Sequence, residues 1–211
     1  MTTAQREERL VTDMVYGQEW NDTMRFMIDA TTEADARKRY VDGPWFSVAV
    51  GQDLLTTPAQ SRAAEAAGQH RPVPDFSLEI MPGATTIKSF FYDDEGSVKA
   101  IYAWRPEGNR LFLDSVIIYT YPDEPLHYGQ DECEFVDSVE FHLDATSRSE
   151  HTVRTTRLVT AIDRRNVDLT KNFEPIPAFG QWAGLGRADR RHHTPDTNPP
   201  DTNPPDTNPP A

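Results

Sequence analysis

One acid and one base in the C-terminal third form the pair best suited to chemistry. Two apolar segments with strand-like alternation, 133–143 and 152–162, flank a polar stretch centred on Ser147. An antiparallel hairpin that turns there places Asp137 opposite Arg157 on one face. The other pairs of that row are Phe141 with Val153, Val139 with Thr155 and Phe135 with Val159. Either Asp137 and Arg157 line a pocket, as a base and an anion-binding group, or they form an ion pair that fixes strand register.

A tyrosine-rich segment, 117–128, is the second candidate. Tyr119, Tyr121, His127 and Tyr128 surround a Pro-Asp-Glu-Pro turn. Side chains with a polar tip on an apolar body are typical of small-molecule pockets. An imidazole is a common acid or base near neutral pH, which makes His127 a catalytic candidate. The alternative is the end of a strand followed by a surface loop with packed aromatic rings.

The sequence predicts neither a metal nor a cofactor. An acidic cluster in the same region lacks the glycine and the regular acidic alternation of a calcium loop, so we expect a solvated negative surface that could receive a basic protein. Its members are Asp123, Glu124, Asp131, Glu132 and Glu134. The sequence contains no HExxH, CxxC, GxSxG, GxxxxGK[ST] or GxGxxG motif.

The N-terminal region, residues 1–44, is predicted to be helical. Apolar residues at Leu10, Met14, Met24 and Met27 fall near one stripe of a helix over 4–30. A second helix is expected over 32–41, capped by Thr31 or Thr32 and ended by Gly43-Pro44.

Residues 45–187 are predicted to form an antiparallel β domain. A first strand, 45–55, is followed by a short helix that starts at Thr57-Pro58, occupies about 58–67 and stops at Gly68. Further strands are expected at 76–80, 87–92, 98–104 and 111–121, ahead of the two segments above. Because their connections are short and rich in turn residues, successive strands should pair as hairpins. The fold class is therefore α+β: mainly an antiparallel meander, as a curled sheet or a barrel, with the N-terminal helices on one face or mouth.

Two further expectations concern the geometry of this domain. The hairpin of 98–104 with 111–121 should pair Trp104 with Leu111, Tyr102 with Leu113 and Val98 with Ile117.

The segment 173–182 contains prolines that forbid a central strand but is too apolar to remain in water. It is predicted to be an ordered strap that covers a sheet edge or plugs a barrel end.

The C-terminal segment, 188–211, is predicted to be a disordered linker and tail. It ends in three DTNPP repeats, whose prolines lack a hydrogen-bond donor and whose composition offers no apolar surface to bury.

The bulk composition narrows the functional classes. The chain has 211 residues and a net charge of −13, which repels nucleic-acid backbones and anionic membranes. The single cysteine, the absence of a signal peptide and the absence of a long apolar segment indicate a cytoplasmic protein. Seventeen arginines against four lysines are typical of a GC-rich bacterial genome.

Two hypotheses about function follow, and they leave open whether the protein is an enzyme. The first is an acidic binding protein that neutralises or adapts a basic protein partner. The second is a cofactor-free enzyme of the cyclase or isomerase type, or a carrier of a small hydrophobic ligand. It requires a pocket of roughly 300 Å³ or more inside the curled sheet. Asp137, Arg157, Tyr119, Tyr121 and Tyr102 would line that pocket.

Overall fold

A computed structural model describes residues 13–188, which form mostly one antiparallel sheet with two helices. The N-terminal half contains β1 (Met14–Gly17), β2 (Glu19–Asn21), β3 (Phe26–Ile28), α1 (Glu33–Asp42), β4 (Phe46–Val50), α2 (Pro58–Ala66), β5 (Phe76–Ile80) and β6 (Ile87–Tyr92). The C-terminal half contains β7 (Val98–Glu107), β8 (Arg110–Thr120), β9 (Phe135–His142), β10 (Thr146–Val153), β11 (Leu158–Arg165) and β12 (Phe173–Pro175). Except for its first residue, the predicted disordered tail lies outside the described residues.

The main sheet is an open meander of ten strands. Its order is β1-β4-β5-β6-β7-β8-β9-β10-β11, with β12 added to β8, and β2 and β3 form a separate hairpin. From β4 to β11 each strand lies beside the next one in the sequence, as the short connections require. The α+β, mainly antiparallel class is confirmed. The barrel alternative is wrong, because β1 and β11 end the sheet without meeting.

The predicted helix over 4–30 is wrong for the part that the structure describes, while residues 1–12 lie outside it. Residues 14–28 form three short strands, and β1 pairs with β4. The chain reverses through Arg25 and Asp29, whose φ angles of 53° and 46° are not helical. The spacing of the methionines fits a helix by coincidence. In so short an apolar run, the periodicity of a helix cannot be distinguished from that of a strand. The division into regions 1–44 and 45–187 stays a prediction, although β1 crosses that boundary to join the sheet.

Both short helices are confirmed, because their ends are encoded locally. The Thr32 side chain accepts a hydrogen bond from the Asp35 backbone N at the start of α1, and Gly43 caps its end. Thr57 and Gln60 form a reciprocal capping box at the start of α2, with Pro58 in its first turn. The strand predicted over 45–55 is shorter than expected and ends at Val50.

The predicted hairpin around Ser147 is wrong, and so is the pairing of Asp137 with Arg157. The chain turns earlier, at 143–145, where the Asp144 carboxylate accepts hydrogen bonds from the backbone N and the Oγ1 of Thr146. Ser147 therefore lies within β10, opposite Phe141. A second turn at 154–157 divides the predicted strand 152–162, and its remainder forms most of β11.

The β7–β8 hairpin has the predicted strands in a different register. Its turn lies one residue further along the chain than predicted, since Glu107 pairs with Arg110 around Gly108, whose φ is 60°. Trp104 consequently lies opposite Leu113, and a bulge between Ala103 and Trp104 shifts the register again for the residues before it, so that Ala103 lies opposite Ser115. The predicted pairs of Trp104 with Leu111, Tyr102 with Leu113 and Val98 with Ile117 are all wrong in register.

The main core lies on one face of the sheet, beneath α1 and the segment that follows β11. Phe46, Leu78, Ile80, Ile87 and Trp104 are all fully buried there. The predicted strap is confirmed as ordered and as the cover of a sheet edge, because β12 pairs with the start of β8. Beyond it, Trp182 and Leu185 are almost fully buried and Phe179 packs on the same core.

A second, smaller cluster lies on the opposite face of the sheet. The β2–β3 hairpin covers it and contributes Trp20 and Met27, while Ala49, Tyr92 and Val98 come from the sheet. The hairpin therefore converts this face of the sheet into the floor of a covered recess.

Candidate functional site

A cavity of about 140 Å³ lies between the β2–β3 hairpin and the second face of the sheet. Polar side chains from several separate elements meet in it. Its lining consists of Glu19, Trp20, Asn21, Asp22, Thr23, Ser47, Ser77, Glu79, Phe90, Tyr92, Val98 and Gln130. We refer to it as the acidic cavity.

Alternation along the strands supplies the floor of the acidic cavity. In β5 the apolar residues Phe76, Leu78 and Ile80 face the main core, so Ser77 and Glu79 point to the other face. The neighbouring strands β4 and β6 contribute Ser47, Phe90 and Tyr92 by the same alternation.

A buried arginine anchors the hairpin that closes the cavity. The Arg25 Nη1 donates to the Arg71 carbonyl at 3.0 Å, and its Nη2 donates to the carbonyl of Glu95. Burial, and secondarily the charge of Arg71, lower the pKa of this guanidinium from its usual value. These bonds attach the β2–β3 turn to two distant loops, which holds the cavity wall in place.

Two buried hydroxyls form the base of the acidic cavity. The Ser77 Oγ and the Tyr92 hydroxyl are 2.6 Å apart, and both side chains are buried. Burial raises the pKa of Tyr92 well above that of free tyrosine, and the carboxylates of Asp22, Glu79 and Glu19 raise it further. Two hydroxyls share one bond, so one O–H and several lone pairs remain for a guest in the cavity.

Three carboxylates dominate the charge of the cavity. Glu19, Asp22 and Glu79 line it, and the Lys88 Nζ lies 3.5 Å from the Glu79 carboxylate. The Lys88 side chain is half exposed, so solvent screens that pair. The cavity thus combines a net negative lining with the aromatic rings of Trp20 and Phe90.

The structure places Asp137 beside His151, which was not among the predicted site residues. The Asp137 Oδ1 lies 2.8 Å from the His151 Nδ1, and the His151 ring stacks on Phe135 at 5.5 Å. This pair joins β9 to β10 and fixes the orientation of the imidazole. Arg157 lies in the exposed turn between β10 and β11, with a φ of 56°. The functional roles assigned to Asp137 and Arg157 stay predictions.

Two of the predicted tyrosines support the wall of the acidic cavity from behind. The Tyr119 hydroxyl donates to the Gln130 side chain at 3.1 Å, and the Tyr121 hydroxyl donates to the Val98 carbonyl at 2.7 Å. Gln130 and Val98 both line the cavity. Burial raises the pKa of both tyrosines, so they act as neutral hydrogen-bond donors near neutral pH.

The remaining candidates lie apart from the acidic cavity. Tyr102 is buried under the C-terminal segment, and its hydroxyl donates to the carbonyl of Ala188 at 3.2 Å. His127 is half-buried in the loop after β8, and its Nε2 is buried without a hydrogen-bond partner among residues 13–188. Neither residue lines the cavity.

Sequence reasoning missed most of the residues that line the cavity. Glu19 and Asp22 escaped notice because their segment was assigned to a helix. Ser77 and Glu79 could have been predicted to share the polar face of β5, since they alternate with its apolar residues. Their convergence with the β2–β3 hairpin depends on long-range contacts that alternation does not specify.

The comparisons with known proteins add no identification. No family model matches the chain, and no curated protein or solved structure matches it either. Within residues 13–188, no three His, Cys, Asp or Glu side chains are grouped so that they could hold a metal ion. In the same range no helix has the length and apolar character needed to cross a membrane.

Proposed function

We propose that this chain is a binding protein that accepts a cationic side chain, arginine or lysine, of a basic protein partner in the acidic cavity. The observation that carries the proposal is the convergence of Glu19, Asp22 and Glu79 around a recess with a hydroxyl and aromatic floor. This arrangement supplies the groups that a guanidinium or ammonium needs.

The chemistry of the lining fits a cation at each contact. Carboxylates accept short, charge-assisted hydrogen bonds from guanidinium and ammonium groups. The faces of Trp20 and Phe90 attract a cation placed over them. The oxygens of Ser47, Ser77 and Tyr92 offer further acceptors at the floor.

The size of the cavity favours the end of a side chain over a whole metabolite. Its 140 Å³ equals the space of about five water molecules at about 30 Å³ each. Pockets for drug-sized ligands are larger, roughly 300 Å³ or more. A guanidinium with its last methylenes fits the smaller volume.

The charge of the molecule supports the same class of partner. Residues 13–145 carry a net charge of −14, and this segment includes every residue that lines the cavity. A field of that sign accelerates encounters with a basic protein and makes the association sensitive to salt.

The alternative, a small-molecule enzyme or carrier with its pocket inside the curled sheet, has less support. The side of the sheet that faces α1 is packed with Phe46, Phe91, Ile80 and Ile87 side chains. The five residues proposed for that pocket, Asp137, Arg157, Tyr119, Tyr121 and Tyr102, do not line the acidic cavity.

The test compares two glutamates of the cavity with one glutamate outside it. An arginine-rich peptide is titrated into the full chain by calorimetry at low and moderate salt. Glu19→Gln and Glu79→Gln should each weaken binding roughly tenfold, because each removes a charged hydrogen bond. Glu140→Gln, an exposed site on β9 with the same change in charge, should change the Kd less than about twofold.

Three outcomes would contradict the proposal. No binding of the peptide at low salt would refute a basic partner. Equal weakening by the cavity and control variants would show diffuse attraction by the whole surface. Tighter binding of free arginine or agmatine than of the peptide, abolished by Glu79→Gln, would indicate a carrier of a small amine.

A further inference from the structure

The edge strand β11 exposes an unusual amount of apolar surface. Among the described residues it pairs only with β10, so the backbone groups along its other side have no strand partner. Leu158, Val159 and Ile162 are exposed to 60%, 52% and 39%. A long, apolar, uncovered edge is a template for pairing with another chain.

The charge of this hairpin is opposite to that of the rest of the molecule. Residues 146–165 contain five arginines and two acids, whereas residues 13–145 carry a net charge of −14. Two copies of so acidic a molecule repel each other through most of their surface. Contact through the β10–β11 hairpins keeps the acidic parts of two copies apart, and it brings together two hairpins of net charge +3 in place of surfaces of higher charge.

The residues of β11 are arranged symmetrically about Thr160. Leu158 and Ile162 lie two positions to either side of it, and Val159 and Ala161 lie one position away. The residues that flank this stretch carry opposite charges, Arg157 in the turn just before β11 and Asp163 within the strand. An antiparallel strand placed against its own copy pairs residues whose numbers have a constant sum.

We propose that two copies of this chain pair antiparallel through their β11 edges, about a two-fold axis at Thr160. In that register Leu158 faces Ile162 of the partner copy and Val159 faces its Ala161, each pair occurring twice. Thr160 faces its own counterpart at the centre. Apolar pairs and threonine pairs opposite each other are favourable in antiparallel sheets.

The charged residues at the ends of this register are available for the pairing. Arg157 is exposed and makes no ion pair or hydrogen bond within the described part of the chain. Asp163 lies 3.5 Å from Arg148 in its own chain, but its side chain is 77% exposed and can accept a second donor. Two-fold symmetry then creates two Arg157–Asp163 contacts between the copies.

The symmetric arrangement of residues in β11 favours a second copy of this chain over an unrelated protein as the partner. A strand of another protein needs a complementary sequence, whereas only a second copy needs β11 to be complementary to itself. Such an isologous contact closes as a dimer, because each copy uses its β11 edge once. The contact is independent of the acidic cavity, which lies at the other end of the sheet, on β4, β5 and β6.

The first experiment measures association and then traps the register. Sedimentation velocity of the full chain, at roughly 5 to 200 μM, should show the mass rising from 23.9 kDa towards twice that value. Under mild oxidation Thr160→Cys should give a covalent dimer, because residues paired across the axis have Cα atoms about 4.5–5.5 Å apart.

Leu158→Cys is the matched control on the same strand and face. It lies four residues out of register with its own counterpart, about 13 Å away, which is too far for a disulfide. Cys133 is buried and present in every variant, so it reports any background crosslinking. Dimers of Leu158→Cys as abundant as those of Thr160→Cys would overturn the register, and a chain that stays monomeric throughout would overturn the proposal.

The second experiment exchanges the charges of Arg157 and Asp163, which flank the residues 158–162 paired about the axis. Arg157→Glu and Asp163→Arg each place like charges opposite each other twice in the dimer, so each should weaken association at least fivefold. The double variant restores the opposite-charge pairs and should recover most of the dimer. If the double variant is as weak as the single variants, or if the single variants associate as well as the parent chain, the Arg157–Asp163 register is wrong.

Discussion

Tyr92 and Ser77 couple the stability of the protein to its acidic cavity. Within the described residues each hydroxyl is the hydrogen-bond partner of the other, and both side chains are buried. Tyr92→Phe should therefore lower the free energy of unfolding by about 1–2 kcal/mol, because Ser77 keeps a buried hydroxyl without its partner. Urea unfolding followed by fluorescence measures the change.

Tyr128→Phe is the matched control for that substitution. The Tyr128 hydroxyl donates to the Glu124 carboxylate at 3.2 Å in an exposed loop, where water replaces a lost bond. Its removal should change the free energy of unfolding by less than about 0.5 kcal/mol. Equal losses for the two variants would show that burial of the Tyr92 hydroxyl is not what stabilises the fold.

The buried tyrosines also predict alkaline sensitivity. The pKa of Tyr92 and that of Tyr121 are raised in the folded state, so folding favours their neutral forms. The resulting stability is complete below the pKa of unfolded tyrosine, about 10, and is lost as the pH rises above it. Melting curves from pH 8 to pH 11 should show Tm falling above about pH 10.

Tyr92→Phe should reduce the slope of that fall, because one titrating group is removed. A slope that is unchanged in the variant would mean that other groups control the alkaline transition. The Tyr121→Phe variant provides a second point, since its hydroxyl donates to Val98 on the same side of the molecule.

At the scale of elements, the C-terminal segment acts as a lid on the main core. Trp182 is 1% exposed, and its ring contacts Phe179 and Tyr40 edge-on at 5.6 Å. Trp182→Ala should destabilise the protein by about 3–5 kcal/mol, since it removes a large buried ring. Ile176→Ala, in the same segment but 38% exposed, should cost less than about 1 kcal/mol. Similar losses for both would contradict the lid.

Truncation separates this lid from the repeats that follow it. Deleting 194–211 should leave Tm nearly unchanged, whereas deletion from Asn172 onward should unfold the protein. The second deletion removes β12, Trp182 and Leu185 from the core, together with the Asn172 side chain that donates to the Leu113 carbonyl at 3.0 Å. Circular dichroism melts of both truncations check this, and a large loss from the shorter one would show that the tail packs on the domain.

The elements differ in how far the sequence predicted them. α1 and α2 were predicted closely because Thr32, Thr57 and Gln60 cap them through contacts within one turn. The β9–β10 turn was placed wrongly, because several polar residues compete for it and the hydrogen bonds of Asp144 decide. A slip of a few residues was enough to separate Asp137 from Arg157.

At the scale of the whole molecule, charge opposes folding. The net charge of −13 gives the compact state more self-repulsion than the unfolded chain. Screening by salt should therefore stabilise the protein, and Tm should rise by about 2–4 °C between 20 and 200 mM NaCl. Potassium chloride should give the same rise, because the effect depends on ionic strength. A fall in Tm would mean that the surface ion pairs contribute more than the repulsion.

The sequence by itself determined the antiparallel meander, the two capped helices, the apolar strap and the acidic charge. These features depend on alternation, on capping residues close in the chain and on composition, all of which are local or additive. Only the tertiary structure decided the register of the hairpins, the open sheet and the fold of residues 14–28. It also decided which residues meet in the acidic cavity, where Glu19 and Glu79 are sixty positions apart. Contacts between residues so far apart depend on which strands pair and in which register. A register shift of two residues hardly changes the local conformational preference of a strand, but it changes every neighbour across the sheet.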